Sequence, residues 1–207
     1  MKKFIIAMCI TLSYTLIAQA QGIQLNRETQ KMYKTKIKEY KKEGWKITGT
    51  SKTIQVALMS HYQQLNDPNN RELVGEVSQC QSLNVCKQAA YNNALVMYAN
   101  LAGSTLRGRV VADLNVDQSR PDAEFDKMYA AYERLVEQEI KGVLTESFAI
   151  ERMGKNGRAY KVFFIVNEEK AMSARLRALE RAFKESEAAQ KYANKISDFV
   201  RKGLEQK

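Results

Sequence analysis

The segment AYKVFFIV, residues 159–166, constrains the fold of this chain more than any other. Successive side chains of a strand point to opposite faces. Tyr160, Val162, Phe164 and Val166 therefore share one face, and Ala159, Phe163 and Ile165 share the other. A strand apolar on both faces is interior to a sheet or covered on both sides. Upstream, residues 144–153 carry Phe148 and Ile150 in alternation, and Gly154-Lys155-Asn156-Gly157 joins the two runs. Glycines accept positive φ at little cost, so the two strands form a hairpin. The Gly-x-x-Gly spacing lacks the strand-to-helix setting and the trailing Lys-Ser/Thr of a phosphate loop. It is a turn.

The remaining pattern supplies partners for that hairpin. GWKITG, residues 44–49, reads as a short strand, and Ser51 is placed to cap a helix running through Ile54, Ala57, Leu58 and His61 toward Leu65. ELVGEVS, residues 72–78, reads as a strand in which Gly75 marks a bulge or a close neighbour. A helix over residues 87–106 places Ala90, Ala94, Met97, Leu101 and Thr105 on one stripe, flanked by Tyr91, Tyr98 and Ala102. Residues 107–114 either extend it or form a strand. Pro121 and the acids Asp122, Glu124 and Asp126 open another helix, with Phe125, Met128, Ala131 or Tyr132, Leu135 and Ile140 on its apolar side. From Asn167 a last helix steps through Met172, Leu176, Leu179, Phe183, Ser186, Ala189, Ala193, Ile196 and Val200, close to a heptad seam. The predicted class is α+β: a small, mainly antiparallel sheet of three to four strands covered by long helices, with helical extensions at both ends.

The first residues, MKKFIIAMCITLSYTLIAQAQG, set the expected destination. Lys2 and Lys3 precede an apolar run of about 15 residues, shorter than the roughly 20 a spanning helix needs. Ala18-Gln19-Ala20 then offers small residues at a cleavage site, the three-part pattern of a secretory signal. Four segments follow: a signal peptide, 1–20; a basic amphipathic helix, 21–43; a single α+β domain, 44–185; and a C-terminal helical extension, 186–207. That extension packs back on the basic helix or projects as a dimerisation arm. No transmembrane segment is expected in the mature chain.

Cleavage removes Cys9 and leaves Cys80 and Cys86 as an even pair in a disulfide-permissive compartment. A structural disulfide is the expected state, with two free thiols as the alternative. Zinc would need four good ligands, and His61 is the chain's one histidine; no metal and no cofactor are expected. His61 itself reads as a core or rim residue of its helix rather than a catalyst.

Charge supplies the other signal. The formal net charge of +10 falls to +8 without Lys2 and Lys3. Residues 26–46 hold seven lysines and Arg27 against Glu28, Glu39 and Glu43. Tyr33, Ile37 and Tyr40 recur there at helical spacing, giving a narrow apolar stripe. Lys31, Lys34, Lys38, Lys41 and Lys42 are candidate contacts to an anionic surface, lipid or polysaccharide; alternatively the helix docks by its apolar stripe and the lysines are solvated. No helix-turn-helix or RNP-like signature points to nucleic acid.

ELVGEVS, the helix KQAAYNNALVMYANLAGSTLRGRV and the strand-to-helix run RAYKVFFIVNEEKA resemble the twenty-kilodalton lipoprotein family of Gram-negative envelopes and the related flagellar outer-membrane assembly lipoproteins. The family's lipid-bearing cysteine has no counterpart at the cut site. GWKITG and YAAYERLVEQEI are also similar to exported proteins of gut Bacteroidota. The resemblance implies an exported α+β module of the periplasm or outer membrane with no catalytic residues to transfer. The expected function is a non-enzymatic envelope module that binds another envelope protein or itself. The alternatives are a hydrolase with paired carboxylates, drawn from Glu72, Glu76, Asp113, Asp117 and Glu146, and a peripheral binder of anionic lipid or polysaccharide.

Overall fold

A computed structural model describes residues 25–114 and 123–185. In chain order the elements are α1 (Arg27–Glu43), β1 (Lys46–Thr48), α2 (Ile54–Gln64), β2 (Asn70–Cys80), α3 (Leu83–Leu114), α4 (Ala123–Ile140), β3 (Leu144–Gly154), β4 (Gly157–Asn167) and α5 (Glu168–Lys184). The four strands form one antiparallel sheet in the order β1-β3-β4-β2. The fold is thus α+β, a small antiparallel sheet flanked by long helices. The C-terminal extension expected over residues 186–207 lies outside the described residues, as do the leader and Pro121.

β4 is interior, and its two faces enter two separate cores. Tyr160, Val162, Phe164 and Val166 join Leu73 of β2 and the buried sides of α3, α4 and α5. Ala159 and Phe163 join Phe148 and Ile150 of β3, Ile37 and Tyr40 of α1, Trp45, and Ala57, Leu58 and Tyr62 of α2. Phe148 and Phe163 stack face to face with centroids 4.3 Å apart. β3 and β4 close through Lys155 and Asn156, with Gly154 opposite Gly157 and Gly157 at φ 134°. The hairpin stands as its alternation and glycines require.

α3 presses on β2 at Gly75. A Cβ there would overlap the Ala90 carbonyl oxygen and sit 3.2 Å from the Ala94 Cβ. The glycine is a close approach of backbone to backbone. At the far end of β2 a disulfide joins Cys80 to Cys86, with Cα atoms 5.5 Å apart, and ties the strand to the first turns of α3. The enclosed loop is short, so chain entropy assigns the link only about 2 kcal/mol.

Residues 107–114 extend the helix, which runs as one element from Leu83 to Leu114. Three expectations are corrected, the first being the buried face of that helix. Its buried stripe is Cys86, Ala90, Ala94, Tyr98, Ala102, Leu106 and Val110, whereas Met97, Leu101 and Thr105 are exposed. A stripe stepping by four turns about 40° per step around a helix of 3.6 residues per turn. That rotation follows a change of partner: Ala90 and Ala94 face Gly75 of β2, while Gly103 abuts Glu133 and Arg107 lies over the Tyr129 ring of α4. Second, Thr53 rather than Ser51 caps α2, its hydroxyl accepting from the Val56 N–H at 3.3 Å. Third, α5 buries Ala171, Ala174, Ala178 and Ala182 with Leu179 and Phe183, and leaves Met172 and Leu176 half-buried. The alanines fill its buried side because the helix lies close against α4.

Replacing Gly75 with alanine forces α3 off β2. Overpacking of this kind costs about 1–3 kcal/mol, and backbone rather than a flexible side chain blocks the site. A Gly75→Ala variant is expected to lose about 3 kcal/mol in urea unfolding, while Gly142→Ala, where a Cβ meets nothing within 4 Å, is expected to lose less than a third of that.

Candidate functional site

α1 is built to be docked on one side and charged on another. Asn26 caps it, accepting from the Thr29 N–H at 2.8 Å, and Gly44 ends it at φ 77°. Trp45 then folds back under the helix, its N–H bonded to the Tyr40 carbonyl at 2.9 Å. Ile37 and Tyr40 are buried, Tyr33 is half-buried, and the Tyr33 hydroxyl donates to the Gln55 carbonyl of α2 at 3.4 Å. Burial, followed by the nearby Tyr62 phenol and the Glu39, Glu72 and Glu43 carboxylates, raises the Tyr40 phenol well above its ordinary pKa. Burial, followed by the Glu72 and Glu39 carboxylates, also raises the Tyr62 phenol. Both stay neutral wherever the protein is folded near neutral pH.

Opposite this seat, the cations are sorted from the acids. At about 100° per residue, Arg27, Lys31, Lys34, Lys38, Lys41 and Lys42 fall within an arc of about 100°, all exposed. No acidic or large apolar residue of α1 shares that arc. Glu28, Glu39 and Glu43 lie on the other flank. Glu39 is held by Lys36 at 3.0 Å. Glu43 accepts from the Trp45 indole at 2.9 Å and from Arg152 at 3.2 Å, with the Arg152 guanidinium 4.8 Å over the Trp45 ring. Among the described residues, Lys31, Lys34, Lys38, Lys41 and Lys42 have no acidic partner. The like-charged neighbours 27/31, 31/34, 34/38, 38/41 and 38/42 each cost a few tenths of a kcal/mol. An incoming anion relieves all of them.

The candidate carboxylates are dispersed. Glu72 accepts a hydrogen bond from His61, with Nε2 to Oε2 at 2.7 Å. His61 is fully buried between α2 and the sheet, its ring set edge-to-face against Phe148 and Phe163 at 5.5 and 5.8 Å. Its Nδ1 has no hydrogen-bond partner. Glu72 is therefore the imidazole's one polar contact. Glu76 pairs with Lys161 at 3.0 Å. Glu146 lines a cleft of about 150 Å³ together with Lys52, Thr48, Thr50, Ser60 and Ser147, and is the one carboxylate among its lining residues. Asp113 falls in the last turn of α3, and Asp117 lies outside the described residues. The cleft thus lacks the facing pair of acids that glycoside hydrolysis uses.

Among the described residues, no group of three or more His, Cys, Asp and Glu side chains is placed to hold a metal ion, and no helix is long and apolar enough to cross a membrane. Sequence reasoning singled out the five lysines but missed Arg27 as their neighbour on the arc, although helical spacing alone places it there. It missed the His61–Glu72 bond, for which no local pattern exists. No protein-family profile, curated protein or solved structure matches the chain.

Removing the Glu72 carboxylate strands a buried imidazole, a defect of about 1–3 kcal/mol. Glu72→Ala is expected to lower the unfolding free energy in urea by that amount. Glu72→Gln keeps an acceptor and is expected to cost less than half as much.

Proposed function

We propose that the protein is an exported, non-enzymatic module of a bacterial cell envelope that attaches to an anionic surface through the basic face of α1. The leader-like residues 1–20 and an even cysteine pair in the remaining chain support export, as does the resemblance to envelope lipoproteins. One observation carries the binding reading. Five exposed lysines occupy one arc of a docked helix without an acidic partner among the described residues, while the acids Glu39 and Glu43 of the same helix are engaged by Lys36, Trp45 and Arg152. A helix whose cations served only as solvated surface would gain from interleaving the two signs at i, i+4. Here they are segregated, and the repulsion is left standing.

Each lysine near an anionic surface contributes about 1 kcal/mol, and the attraction decays within a Debye length. The mature protein is expected to bind phosphatidylglycerol-containing vesicles or polygalacturonate beads, at least one of the two, and to be released by salt. Lys34→Ala/Lys38→Ala/Lys41→Ala should weaken retention on the order of 100-fold. A control with the same net charge, Lys87→Ala/Lys155→Ala/Lys170→Ala, should retain nearly all of it. Equal loss in both triple variants would reduce the effect to bulk charge and remove the case for α1.

A further inference from the structure

The docking of α1 selects among anionic partners. An amphipathic helix that holds to a bilayer does so by sinking its apolar face below the headgroups, with charge as a supplement. That face is occupied here: Ile37 and Tyr40 are buried against Phe163, Trp45 and α2, and Tyr33 is bonded to Gln55. The arc of about 100° contains Arg27 and five lysines and nothing apolar to insert; Gln30 and Thr35 border it, and the exposed Met32 lies outside it, between Glu39 and Glu43 on the acidic flank. The arc also contains no aromatic ring, so it lacks the stacking platform on which single-stranded nucleic acids are held.

What the arc does have is length. The six cations run in a narrow file, and from Arg27 to Lys42 the helix rises roughly 22 Å at about 1.5 Å per residue. Successive steps are three or four residues, so a charge recurs about every turn. A file of evenly spaced ammonium groups matches a partner whose negative charges also recur in line along one strand. Lysine presents a compact, rotatable point charge rather than a fixed fork, which suits carboxylates carried at intervals on a chain that can slide and turn.

Resting on the anionic-surface reading above, we infer that the partner of α1 is a linear acidic polysaccharide, bound lengthwise along the row from Arg27 to Lys42. The two ends of the row are held differently. Glu28 stands in the first turn on the acidic flank, while Lys41 and Lys42 sit in the last turn near the carbonyl end of the helix. The polymer lies on the side away from Glu28, Glu39 and Glu43, which confine it to the file.

The test measures the mature protein against galacturonate oligomers of increasing length and against vesicles containing phosphatidylglycerol, at matched charge concentration and low salt. Affinity for the oligomers should rise steeply until their length reaches that of the row, about 22 Å of helix, and then level off. It should exceed vesicle affinity at least tenfold and fall at least tenfold in Lys34→Ala/Lys38→Ala/Lys41→Ala, with circular dichroism confirming that the variant is folded. Vesicle binding equal to or stronger than oligomer binding overturns the polysaccharide assignment and leaves the anionic-surface reading intact. Binding to neither overturns both. Oligomer affinity that is unchanged by the triple substitution also overturns the assignment, because the polymer then sits elsewhere.

Discussion

β4 has no face to give to water. Its alternating side chains fill two cores at once, and everything else in the described chain is arranged to cover one or the other. On one side, α3, α4 and α5 form a thick helical layer. On the other, among the described residues, α1 and α2 are the helices available, and the smaller core they close is rich in rings: Tyr40, Trp45, Tyr62, Phe148 and Phe163. A buried large side chain contributes about 1.5–3 kcal/mol. Withdrawing α1 would expose Phe163 and Trp45 together, so the second face of the sheet holds the helix in place.

That obligation shapes the chemistry of α1. Because Ile37 and Tyr40 are committed to the sheet side, the helix meets solvent mainly through charged and polar residues, with Met32 its one exposed large apolar side chain. Glu43 is taken by Trp45 and Arg152, and Glu39 by Lys36, so two of the three acids of α1 that might have balanced the lysines are used within the fold. The result is a rigidly presented file of positive charge. Preorganisation of this kind lowers the ordering entropy an incoming partner must overcome. The same layer carries the buried His61, whose single polar contact to Glu72 couples α2 to β2. One oxygen of the Glu72 carboxylate thereby serves as the acceptor for the buried imidazole.

The parts legible in the sequence are those fixed by local periodicity. The two-faced run in β4, the glycine-bracketed turn and the heavily apolar side of α4 depend on neighbours within a few positions, and the structure places them as the spacing requires. Gly75 was legible as either a bulge or a close approach; which of the two, and the atom it approaches, depend on where α3 lies. The outward face of α3 was misread because the helix serves the sheet in its first half and α4 in its second, and one continuous stripe cannot express two partners. The five lysines were legible as charge. Their freedom was not, because it hinges on Glu43 meeting Arg152, 109 positions along the chain. His61 and Glu72 likewise meet only when α2 and β2 dock, and neither residue announces the other.

The claim underlying all of this is that α1 is seated on the second face of the sheet in the free protein, before any anion arrives. An isolated helix of this length with so many like charges is marginal in water, so its protection reports docking. Native-state amide hydrogen exchange in low-salt buffer without a polyanion measures it directly. The account predicts that amides of Ile37 to Tyr40 open with a free energy close to that of Phe163 to Val166 in β4. Exchange of the α1 amides at nearly unprotected rates while β4 stays protected would contradict it.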